Sequence, residues 1–300
     1  MSDNNLSKDT IQRLAFIKYL LNVAVGQSRQ PEPLAAAAIL TFHDSIEFFL
    51  QLACEHLNAP TKTNTSFMEY WEILKPKISG DGPTQKEAMK RLNKSRVSLK
   101  HHGILPTKLD VEAYRASVRN FFEDNTSLVF GVELENISMV NLVRYEAVKT
   151  RLEQAKVFKE DSELEKAMVE IAIAFKQLVD CYETPKQHKY GSSPFSFKGE
   201  SVFIDTDYMG SHFEEVVCYV DDSLACMQDA IKILSFGLDY RKYARFQLLI
   251  PEVFQRRGNE GYGHRITREG GASIEDYKFC HNFVIESALH LQGFDFDTKS

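Results

Sequence analysis

Apolar positions recur at three- and four-residue intervals along most of the chain, the spacing of helices that bury one face. Ile11, Leu14, Ile17 and Leu21 form the first such stripe and, with Ser7 as an N-cap, predict a helix over about Asp9–Val25. Pro31 and Pro33 open a second helix, Leu34 to about Leu57, whose Ala35–Ala38 run is strongly helix-forming. The aromatic segment Phe67–Leu74 predicts a short helix stopped by Pro76. After the breaker Ser79-Gly80-Asp81-Gly82-Pro83, Thr84 and Glu87 have the spacing of a capping box. The helix they begin should run to His101 or His102, with Gly103 ending it and Pro106 preventing its resumption. Asp110 is expected to cap a fifth helix, Val111 to about Asp124, with Val111, Tyr114, Val118, Phe121 and Phe122 inward.

The pattern loosens over residues 125–137, which read as a hinge. Helices return at about Met139–Lys159 and Ser162–Tyr182, and the Pro-, Gly-, Ser- and Lys-rich stretch 183–203 is a candidate linker. Beyond it the periodicity predicts helices at His212–Leu234, Tyr240–Leu249 and Ser273–Leu291, with a glycine-rich loop at Gly258–Gly271. A few residues near Ser201–Ile204 suit extended backbone, but no sheet is expected. The fold class is therefore all-α: an N-terminal helical bundle, residues 1–125, and a C-terminal helical region, residues 126–300.

A hydrophobic content of 43% and a charged content of 26% are ordinary for a folded protein. The net charge of -6 offers no long-range attraction to nucleic acid or anionic membrane, so such contacts require a local basic patch. No apolar run reaches the roughly 18 residues of a spanning helix, since Leu34–Leu57 is broken by His43, Asp44, Glu47 and Glu55. With no signal-peptide pattern at the start, a cytoplasmic protein without membrane contact is expected. Cys54, Cys181, Cys218, Cys226 and Cys280 are scattered and odd in number, which argues against a disulfide framework and a zinc ribbon. Cys218 and Cys226 are expected to pack as small apolar residues. No HExxH, EF-hand loop or paired Cys/His spacing occurs, so neither a metal nor another cofactor is expected, and His281 and His290 read as structural.

The local basic patch is the helix Thr84–His102. Lys86, Lys90, Arg91, Lys94, Arg96 and Lys100 face only Asp81 and Glu87 nearby in sequence, and His101 and His102 close the helix. The carbonyl end of a helix favours cations, and an ordinary histidine titrates near neutrality. Arg96 adds a permanently charged planar donor that suits phosphate oxygens. A proton shuttle beside a phosphate clamp is a sensible pair for phosphoryl-transfer chemistry. On a regular helix, however, residues i and i+5 diverge by about 140° in projection. Arg96 and His101 converge only if the helix end is distorted or a second copy of the helix contributes.

The run Leu92-Asn93-Lys94-Ser95-Arg96-Val97-Ser98-Leu99-Lys100-His101-His102-Gly103 resembles the Arg-x(4–6)-His signature of the HEPN superfamily of helical RNases. The upstream helix, with its alanines and with His43, Asp44 and Glu47, is similar to that family's preceding long helix, and the helix order over residues 10–125 also fits. Val97 departs from the pattern, because many active members carry a polar residue there. The resemblance implies a metal-independent endoribonuclease, working as a homodimer whose paired Arg–His sets build one cleft on RNA. His101 would act as general base on the 2′-hydroxyl, with His102 in reserve, and Arg96 would stabilise the phosphorane. Glu47 or Asp44 would orient Arg96, Asn93 would be a further supporting residue of the site, and Lys100 or His102 would bind flanking phosphates. The family also implies a toxin or anti-phage role, with an antitoxin or defence-system partner protein. The alternative is a non-catalytic HEPN-like subunit that binds RNA or protein.

Lys94 and Arg91 are further candidates for nucleic-acid contact on the same helix. Another set lies in Tyr240-Arg241-Lys242-Tyr243-Ala244-Arg245-Phe246, where basic and aromatic residues alternate. Such a surface can stack bases and bind phosphates. At helical spacing, though, Tyr243 and Phe246 also suit a core, with Arg241 and Arg245 outward. The loop Arg256–Arg265 is basic and glycine-rich without P-loop or Rossmann spacing, and reads as a solvated connector.

Overall fold

The computed structural model describes residues 6–78, 80–187, 193–195, 210–255, 261–265 and 271–293. The chain divides into two compact units, Met1–Leu142 and Val143–Ser300. Helices dominate both, and the fold is all-α with one small hairpin.

In the first unit, helix α1 (Lys8–Ser28) starts where Ser7 Oγ accepts from the Thr10 amide at 3.1 Å. A 310 turn over Leu34–Ala37 leads into α2 (Ala38–His56), the hub that α1, α3 (Glu69–Leu74), α4 (Lys86–His102) and α5 (Lys108–Phe130) all pack against. The apolar positions of α2 explain that place. Ile39, Phe42, Ile46, Phe49, Leu50 and Ala53 are buried, and the Phe49 ring meets the rings of Phe121, Phe122 and Phe130 edge-on at 5.4–5.5 Å. Helix α3 stops as expected, where Pro76 opens a 310 turn over Lys75–Lys77.

Two of the expected caps are replaced. Thr84 does not cap α4, because its amide donates to Asn125 Oδ1 (2.9 Å) and its hydroxyl to Asp124 Oδ2 (2.9 Å), both on α5. The residue preceding α4 is instead Gln85, in the left-handed region with φ 61°. Asp110 is not the cap of α5. It is the third residue of a capping box headed by Thr107, so the helix begins one turn early. Gly103 does end α4, at φ 65°, with its amide on the Leu99 carbonyl and that of Ile104 on Ser98.

Residues 125–137 are no hinge. Helix α5 continues through Phe130, and the Lys18 ammonium donates to the Glu135 and Ile137 carbonyls at 2.9 and 2.7 Å. A 310 turn over Met139–Leu142 then packs on α1, so the first unit extends beyond residue 125 to Leu142. The expected helix from Met139 accordingly begins only at Glu146.

The second unit is built on α6 (Glu146–Glu160) and α7 (Leu164–Glu183), which pack along one another. Helices α9 (Tyr240–Leu249) and α10 (Ile274–Leu291) complete its core, where Phe175 meets Tyr243, Phe246 and Phe283. Most of the candidate linker lies outside the described residues, and so does the Ser201–Ile204 segment. Strands β1 (Glu252–Gln255) and β2 (Tyr262–Arg265) form an antiparallel hairpin that the expectation of no sheet missed. Four-residue strands carry too little alternation to be visible in sequence. Gly263 faces Phe254 across this pair, and a Cβ there would meet the Phe254 ring at 2.4 Å.

Helix α8 (Gly210–Ser235) reaches α9 near its C-terminal end, where Ile233 is buried. Val216, Val220, Leu224, Met227, Ile231 and Leu234 are exposed. Cys218 and Cys226 are exposed too, contrary to their expected packing, because the turns that carry them lie away from that buried end. Among the described residues, no helix is long and apolar enough to cross a membrane.

Candidate functional site

Helix α4 has two different surroundings. Its first half is seated by Ala88, Met89 and Leu92, which are buried, and this fixes the face that looks at α2. Asn93 and Arg96 follow one turn apart on that side. Across from them, α2 presents His43 and Glu47, four residues apart on one stripe, with Asp44 beside them.

His43 is the centre of the group. It is 2% exposed, and its ring stacks on Phe67 with centroids 4.2 Å apart. Its Nε2–H donates to Asn93 Oδ1 at 3.1 Å, which leaves Nδ1 with a lone pair. Nδ1 is buried and has no hydrogen-bond partner among the described residues. Asp44 Oδ1 and Glu47 Oε2 each lie 3.7 Å from it, beyond hydrogen-bond reach. Burial, then the Arg96 guanidinium, lowers the His43 pKa, so the ring is held neutral. Burial and the Asp44 charge raise the Glu47 pKa against the opposing pull of Arg96.

Arg96 is half-buried and exerts its charge on His43 and Glu47. The structure thus brings Asn93, Arg96, His43, Asp44 and Glu47 together. It does not bring His101 to Arg96 within one chain. Helix α4 is continuous through His102, so the divergence of about 140° stands. Lys100, His101 and His102 are exposed at its end. They adjoin the exposed apolar turn Ile104-Leu105 and Leu109 at the start of α5.

Of the basic residues around the site, Arg91 and Lys94 are exposed. Lys86 is not free for a ligand, as its ammonium is 2.5 Å from Glu72 on α3. In the second unit, Tyr243 and Phe246 are core residues, Arg241 is exposed, and the Arg245 guanidinium lies 4.1 Å from the Phe279 ring centroid. The loop residues 256–260 lie outside the described residues, while His264 and Arg265 sit on β2.

The residue least visible in sequence as part of this group is His43. A histidine within an apolar helix signals little until α4 supplies Asn93 and the segment before α3 supplies Phe67. Its one local signal is Glu47, four residues on. Compared with known proteins, the chain matches no family model, no curated protein and no solved structure.

Proposed function

We propose that the chain is a metal-independent endoribonuclease of the HEPN type, cleaving RNA through attack of the 2′-hydroxyl on the adjacent phosphate. The observation that carries the reading is the setting of Arg96, a half-buried guanidinium whose charge acts on Glu47 and His43, on the helix that ends in two exposed histidines. A preoriented guanidinium stabilises charge as it develops on a phosphorane. His101 takes the 2′-proton and Lys100 or His102 holds a flanking phosphate. Because the nucleophile belongs to the substrate, orientation supplies much of the rate. The pair assembles across a two-fold axis in a homodimer, for which the exposed Ile104, Leu105 and Leu109 beside His101 provide an apolar contact. Arg91 and Lys94 extend the cationic track for RNA. A cytoplasmic toxin or defence effector, restrained by a partner protein, is the context that suits such an activity.

The test is cleavage of total RNA in EDTA by wild type, Arg96→Ala and His101→Ala. Wild type yields 2′,3′-cyclic ends, and His101→Ala loses about 10²-fold or more, the usual cost of a general base. Equal behaviour of all three, or a requirement for metal, rejects the enzyme. Light scattering checks the two-fold arrangement, since a strict monomer cannot assemble it.

A second reading is a non-catalytic HEPN-like subunit that binds RNA or protein. It is favoured by the exposed Val97 next to Arg96, which gives a scissile phosphate no polar contact. RNA binding without cleavage, unaltered in His101→Ala, selects it.

A further inference from the structure

The polar atoms between α2 and α4 are arranged in a way that hydrogen bonding leaves incomplete. An imidazole whose Nε2–H is spent on Asn93 Oδ1 turns its Nδ1 toward two carboxylates. Three electron-pair donors, Nδ1 of His43 and one oxygen each of Asp44 and Glu47, lie within 4.8 Å of one another. Among the described residues nothing donates a proton to Nδ1, which is buried. Such a group is completed by a cation placed among the three atoms.

We propose that His43, Asp44 and Glu47 form a binding site for a divalent d-block cation, zinc being the fitting probe. One imidazole nitrogen with two carboxylate oxygens is a donor set such ions accept, at bond lengths of about 2.0–2.2 Å. Ligand atoms around one ion then stand about 3–4 Å apart, and the 3.7 Å separations from Nδ1 already meet this. The remaining closure falls to Asp44, whose side chain is exposed, and to Glu47, which is partly so. Asn93 supplies what a metal-bound histidine ordinarily has, an acceptor for its other ring N–H that fixes tautomer and orientation. Phe67 stacked on the ring holds it in that plane. Water fills the open positions on the solvent side, where Asp44 lies.

Arg96 opposes the ion by charge, and the same charge acts on His43 and Glu47. Occupation therefore places a second positive charge beside the guanidinium and engages the carboxylate on which the Arg96 charge acts. If the endoribonuclease reading holds, the cation is an inhibitor of that site. This consequence rests on that reading, whereas cation binding itself does not.

The test is equilibrium dialysis of the full chain against zinc, in a Cys218→Ser/Cys226→Ser background that removes the two exposed thiols. One zinc per chain is expected, with affinity falling at least tenfold in Asp44→Asn/Glu47→Gln and in His43→Gln. Zinc should also raise the melting temperature of the parent and not of the carboxylate variant. Asp44 is exposed, so the single variant Asp44→Asn stays folded and carries the test if His43→Gln does not fold. Absence of bound zinc at tens of micromolar, or undiminished affinity in the carboxylate variants, overturns the proposal. The RNA assay in EDTA reports on the nuclease reading separately, so the failure of one is not mistaken for failure of the other.

Discussion

The two ends of α4 are made of similar residues and live in different surroundings. Around Leu92, Asn93 and Arg96 the helix is enclosed, packed on α2 and α5. Around Lys100, His101 and His102 it is bare. The difference teaches that charge on a helix has no single meaning. The same basic stretch is architecture where a neighbouring helix answers it, and open chemistry where none does.

The strongest way to break this comparison is Leu92→Ala. Leu92 is fully buried, and its truncation should cost about 2–5 kcal/mol in chemical unfolding. Lys100→Ala, on the bare end, should stay within about 0.5 kcal/mol. Comparable losses for the two would end the distinction. A smaller effect sharpens the boundary between the halves. Gly103→Ala leaves open space around the new methyl, so the expected loss of about 1 kcal/mol is purely the left-handed backbone at φ 65°. Gly103→Asn should recover part of it, and equal losses for both would locate the cost elsewhere.

The smallest effect is in pH. The His43 pKa is lowered in the folded state, so the unfolded chain binds its proton more readily. Stability from this residue is complete above about pH 6.5, the ordinary histidine value, and is lost as the pH falls below it. The groups facing the ring are Asp44 and Glu47 on α2 and Arg96 with Asn93 on α4. Glu47 acts with the opposite sign: its raised pKa means that its contribution diminishes as pH rises from about 4.5. Melting temperatures measured from pH 7 down to 5.5 should fall less steeply in His43→Gln than in wild type.

Much of the architecture is legible in the chain because its signals are local. Ser7, Gly103 and Ser273 each mark a helix end within four residues of the bonds they make. Where the signal was lost, a distant residue had taken the local group. Thr84 and Asn125 are 41 positions apart, and their hydrogen bonds override the capping box that Thr84 and Glu87 spell. Lys18 does the same for the segment around Ile137, converting an apparent hinge into a fastened turn. At the candidate site, Arg96 is legible as a charge and Glu47 and Asp44 as nearby acids on α2, but the Asn93–His43 bond spans 50 positions and has no local trace.

The turn between α4 and α5 has a consequence for motion. The amides of Gly103, Ile104, Thr107, Lys108, Asp110 and Val111 are all hydrogen-bonded, to carbonyls, to the capping-box side chains or to Glu32. Hydrogen exchange there should therefore be slow although the side chains are wet. A helix end that would ordinarily fray is tied, so the backbone that carries His101 and His102 is held on both sides of the turn. Ordering these histidines around a ligand then costs rotamer entropy alone, with no backbone to refold.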